Sequence, residues 1–81
     1  MKQIPLIDIT DCFEYQIEYS GQHLGNPINN FNGEATDCQQ LCESTNGCNY
    51  FVWRNKECAL KREQGNKNGN SAAISGPAKC T

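Results

Sequence analysis

The chain has 81 residues, a formal net charge of −2, and 37% apolar residues once its six cysteines are included. Only fourteen residues are Leu, Ile, Val or Phe, which disfavours a self-contained enzyme with a large buried cleft, and no run approaches the roughly 18 apolar residues that a membrane span requires. What remains is a single small domain that needs staples, because near this length a core alone supplies at most about 3–5 kcal/mol.

The first residues, Met1 to Asp8, lack the apolar h-region and small-residue cleavage site of a secretory signal. The expectation is a module from a longer secreted protein, with residues 1–11 as an inter-domain linker or an added N-terminal segment. Residues 12–19 then alternate Phe13, Tyr15, Ile17 and Tyr19 against Glu14, Gln16 and Glu18, the period-2 pattern of a half-buried strand. Gly21 ends that run, and Gly25 to Gly33 is turn chemistry with Ile28 and Phe31 as isolated apolar plugs.

Residues 36–45 carry the helical signal. Thr36 is placed to cap the N-terminus with Gln39 as its reciprocal partner, and Asp37 sits where the helix dipole favours negative charge. Cys38, Leu41, Cys42 and Thr45 share one face, and a helix this short must be pinned by packing or bonds. Asn46-Gly47 stops it.

Two strand-like runs follow, Asn49 to Arg54 and Glu57 to Lys61, joined at Asn55-Lys56 as a hairpin. Phe51 and Trp53 share a face of the first run, and Cys58 and Leu60 a face of the second. Gly65 to Ser71 reads as a polar surface loop, Ala72-Ala73-Ile74 as a closing strand, and Ser75-Gly76-Pro77 leads to Cys80.

An even set of cysteines, Cys12, Cys38, Cys42, Cys48, Cys58 and Cys80, in a short Gly- and Asn-rich chain reads as a disulfide framework made in an oxidising, secretory setting. The competing zinc reading would draw on Cys38, Cys42, Cys48 and His23, at spacings that fit no usual finger. Cys38-x3-Cys42 is also not the CxxC arrangement that activates a thiolate. Six cysteines allow fifteen connectivities, and counting alone leaves them open.

The cysteine order, the Cys-Gln-Gln-Leu-Cys helix, the Cys48-x-x-Phe51-x-Trp53 strand and the Cys58-x-Leu60-Lys61 strand together resemble a PAN/apple module over residues 12–80. The tail Ile74 to Cys80 is most similar to the apple repeats of apicomplexan microneme adhesins. The resemblance implies an α+β fold, a small disulfide-rich module with a curved antiparallel sheet of about five strands on one helix. It also implies the pairs Cys12–Cys80, Cys38–Cys58 and Cys42–Cys48, of which the first is the one the fold would survive losing.

The resemblance further implies a non-catalytic extracellular recognition module of a secreted adhesin, delivered through a microneme-like secretory organelle, that binds a host-cell surface protein or glycan. The alternatives are a structural spacer docking on neighbouring modules of a tandem array, and an apple module of a coagulation-type zymogen. From the residues themselves, His23 has no nucleophile or clustered carboxylates to work with, so no general acid/base set is assembled. No EF-hand-type loop and too few bases are present for calcium or nucleic acid, and no cofactor is expected.

Charge adds one hint. Residues 1–46 carry a net −6 and residues 47–81 a net +4, so Arg54, Lys56, Lys61, Arg62 and Lys67 form a candidate basic patch for an anionic glycan or acidic protein surface. Ordinary solvated strand faces are the plainer explanation. A second candidate is a neutral-sugar site in which Trp53, Tyr15, Tyr19 or Tyr50 stacks on a ring, against the plainer placement of Trp53 in the core beside Phe51.

Overall fold

The computed structural model describes residues 11–80. Its elements are β1 (Glu14–Tyr19), α1 (Ala35–Glu43), β2 (Tyr50–Arg54), β3 (Glu57–Lys61) and β4 (Lys67–Pro77). The strands make one antiparallel four-stranded sheet in the order β1-β4-β2-β3. The expected count of about five is approached by an irregular segment that bridges the free edge of β3 at His23–Lys61 and Ile28–Cys58.

β2 and β3 form the expected hairpin, with Asn55 and Lys56 at φ 42° and 69°. Two positive values in succession match the twist of a two-residue turn to that of the strands. Pairing Phe51 with Leu60 and Trp53 with Cys58 puts these four side chains on one face, and α1 lies across it. The resulting core contains Ala35, Cys38, Cys42, Cys48, Phe51, Cys58 and Leu60, with Phe13, Leu24, Phe31, Leu41, Trp53 and Ile74 packed against it. Phe51 is fully buried and meets the Phe13 ring edge-on at 5.3 Å between centroids, an arrangement aromatic quadrupoles favour.

The six cysteines pair Cys12–Cys80, Cys38–Cys58 and Cys42–Cys48. Cys38–Cys58 stitches α1 to β3 through the centre of the core, and Cys42–Cys48 closes the turn after the helix, where Gly47 takes a φ of 90° that costs a residue without Cβ little.

The helix starts a residue earlier and ends two earlier than expected. Its N-cap is Glu34, whose N–H donates to Asp37 Oδ2 at 2.8 Å, so Thr36 and Gln39 are not the capping pair. Gln39 instead donates to the Pro77 carbonyl at 3.0 Å, which ties the helix to the end of β4. Thr45 lies beyond the helix, and its hydroxyl donates to the Leu41 carbonyl at 2.6 Å.

Two further expectations are corrected. The alternation of residues 12–19 does not make one buried face: the register slips between Tyr15–Ile74 and Ile17–Gly69, where Gln16 adopts a φ of 64°. The single residue Gln16 of β1 faces residues 70–73 of β4 there, an irregularity that locally disrupts the ladder and increases the twist. Phe13 stays on the helix side, while Ile17 and Tyr19 join Tyr50, Val52, Ala59 and Ala73 in a second apolar cluster on the opposite face of β2 and β3. The Gly65–Ser71 segment is also not a loop throughout, because Lys67 to Ser71 is the first half of β4, and residues 67–69 pair with β1. β4 lies between β1 and β2, so it closes no edge.

Candidate functional site

Basic residues are not gathered on one free surface. Lys61 is 4% exposed, and its ammonium donates to the Gly21 carbonyl at 3.0 Å. Burial pushes its pKa down, with the Glu18 carboxylate opposing. Arg54 pairs with Glu57 at 3.1 Å and Glu18 at 3.4 Å, and Lys67 pairs with Glu14 at 3.0 Å. Lys56 and Arg62 are exposed, but they flank opposite ends of β3, roughly 20 Å apart along a strand at about 3.3 Å per residue.

The reason lies in the acidic residues of β1. Glu14 and Glu18 reach across to Lys67 of β4 and Arg54 of β2. These partly exposed pairs join the acidic first half of the chain to the basic second half, while Lys56 and Arg62 stay exposed. His23 lies beside the edge of β3 through its backbone bridge to Lys61, and burial lowers its pKa.

The aromatic candidates separate cleanly. Tyr19 is buried, donates its hydroxyl to Glu14 Oε1, and stacks edge-on with Tyr50 at 5.7 Å, so this pair is structural. Burial first, and the Glu14 carboxylate second, raise the Tyr19 pKa far above its ordinary value. Trp53 and Tyr15, by contrast, come together. They line a cleft of about 260 Å³ with Asp11, Phe13, Glu34, Ala35, Thr36 and Ile74.

This cleft lies between the start of α1 and the helix-facing side of β1, β4 and β2. Trp53 is half-buried and its indole N–H donates to the Gly33 carbonyl at 3.1 Å, which fixes the ring. It is therefore neither simply core nor simply surface. Tyr15 is 56% exposed and donates its hydroxyl to Asp11 Oδ2 at 2.8 Å. That bond to a carboxylate raises the Tyr15 pKa. Asp11 Oδ1 accepts the Phe13 N–H at 3.2 Å, so both carboxylate oxygens are held in place.

Asp11, Glu34 and Thr36 were not singled out as site residues by sequence reasoning. The signal was thin, because nothing in local spacing brings Asp11 beside a helix start more than twenty positions later. A volume of 260 Å³ falls below the roughly 300–1,000 Å³ of small-molecule pockets, and suits one amino-acid side chain or one sugar ring.

Residues 17–73 match the PAN domain. The chain belongs to this family. PAN domains are protein- or carbohydrate-interaction modules, and the matched span runs from β1 through the hairpin into β4. No curated protein matches the chain. Within the PAN domain, the cleft walls come partly from inside the matched span, at Glu34, Ala35, Thr36 and Trp53, and partly from Asp11, Phe13 and Tyr15 just before it and Ile74 just after. All six cysteines are in disulfides, and no helix among the described residues is long and apolar enough to cross a membrane.

Proposed function

We propose that this PAN domain is a non-catalytic recognition module of a secreted, extracellular adhesin, and that it meets its partner at the aromatic cleft. The observation that carries the reading is the exposed Tyr15 ring at the mouth of a concavity whose other rings, Phe13 and Trp53, are fixed. An exposed aromatic held rigidly in a concave site supplies contact area at little entropic cost. The disulfide framework supports passage through the secretory pathway.

A host-cell surface protein or glycan is the class of partner proposed, in keeping with the similarity of the Ile74–Cys80 tail to apple repeats of microneme adhesins. The test is binding of the folded chain to a panel of cell-surface proteins and glycans. Tyr15→Ala is expected to weaken any hit at least tenfold, whereas Lys56→Ala/Arg62→Ala leaves it within twofold. The reverse order would move the site to the basic residues.

A further inference from the structure

We propose that the cleft takes the cationic end of a lysine or arginine side chain from a protein partner; this rests on the reading of the cleft as the recognition surface. The carboxylates Asp11 and Glu34 both line it, and no basic residue does. Most other described acids are matched, Glu14 with Lys67, Glu18 and Glu57 with Arg54, and Glu43 with Lys79, while the exposed Glu63 lies away from the cleft. Among the described residues, Asp11 and Glu34 have no ion pair. Asp37, whose carboxylate accepts the Glu34 N–H, adds a third negative charge just outside.

The walls suit the same occupant. Tyr and Trp faces attract a cation through the ring quadrupole, and the aliphatic stem of a Lys or Arg side chain packs on apolar surface while its charged head seeks a polar group. Here the apolar surface is Phe13, Ile74 and Ala35. Asp11 is oriented before anything binds, because the Phe13 N–H and the Tyr15 hydroxyl each hold one of its oxygens. An anionic glycan would be repelled by this lining. A neutral sugar would stack on the rings but leave both carboxylate charges unmatched.

The test uses the disulfide-intact chain with three probes: Nα-acetyl-lysine amide, its Nε-acetylated counterpart, and methyl β-galactoside. Binding is followed by the fluorescence of Trp53, the single tryptophan, and by amide NMR shifts of residues 11–15 and 33–36. The expected result is a saturable response to the lysine probe that is at least tenfold weaker for the Nε-acetylated form, in Asp11→Asn/Glu34→Gln, and at raised salt. Equal responses to the two lysine probes would overturn the inference. A response to the galactoside alone, lost in Tyr15→Ala, would overturn it while leaving the cleft as the recognition site. No cleft response to any probe would overturn both.

Discussion

Gly21 sits where the chain leaving β1 crosses the segment that leads into β4, with its N–H bonded to the Gln64 carbonyl at 3.0 Å. A Cβ there would lie 1.9 Å from the backbone oxygen of Glu63, a clash no side-chain rotation relieves. Gly21→Ala is therefore expected to cost at least about 2 kcal/mol, read as a lower urea midpoint with an unchanged slope. Glu14, at the other end of β1, contributes to acid sensitivity. The Tyr19 hydroxyl, then Lys67, lower its pKa below the usual 4.5. A carboxylate with a depressed folded pKa contributes stability that is fully present above its unfolded value and is lost as pH falls through the folded one. Thermal midpoints should fall with pH below about 4.5, and Glu14→Gln should flatten part of that fall; an unchanged profile would remove Glu14 from the account.

At the scale of the elements, the helix cap gives a test between two neighbouring residues. Asp37→Ala loses the bond to the Glu34 N–H and a favourable charge in the first turn, and is expected to cost about 1 kcal/mol. Thr36→Ala should stay within about 0.5 kcal/mol, as measured by equilibrium denaturation. The hairpin and the helix were legible in the sequence because their signals are local: Asn55-Lys56 for the turn, and i, i+3, i+4 cysteine and leucine spacing for the buried face. The helix start was misplaced because Thr is a stronger prior cap than Glu, while the structure uses Asp37 reaching back. β1 was read as a strand with the wrong faces, since the break at Gln16, opposite the surplus residues of β4, leaves no mark in an alternating pattern. The first half of β4 was hidden for a different reason. Residues 67–69 are exposed, so hydrophobic periodicity, which reports burial, has nothing to register. The cleft was half legible: Trp53 and Tyr15 were candidates by residue type, but their meeting with Asp11 and Glu34 depends on the tertiary fold.

For the whole molecule, the three disulfides differ in what they hold. In the chain-entropy account, closing separations of 68, 20 and 6 residues stabilises by at most about 4, 3 and 2 kcal/mol. Burial reverses the order of consequence. Cys38 and Cys58 are wholly buried at the junction of α1 and β3, whereas Cys80 is exposed. Cys12→Ser/Cys80→Ser is expected to remain folded with a lowered midpoint, and Cys38→Ser/Cys58→Ser to lose dispersed NMR amides; equal behaviour would contradict this. Charge is also partly paired at this scale, Glu14, Glu18 and Glu43 of the acidic half meeting Lys67, Arg54 and Lys79 of the basic half. Retention on heparin at physiological salt should accordingly be slight, and strong retention abolished by Lys56→Ala/Arg62→Ala would restore a basic glycan surface.

Among the described residues the two margins of the sheet differ, one being covered and the other interrupted. On the β3 side, the Ile28 and Cys58 backbones exchange hydrogen bonds, and Leu24 and Phe31 donate to the Leu60 and Lys56 carbonyls. On the β1 side, Gln16 breaks the run of outward-facing groups at its midpoint. An open, flat margin is what lets sheet proteins add to one another edge to edge and grow into fibres. Among the described residues neither margin offers such a flat, continuous run, which works against copies polymerising through their backbones.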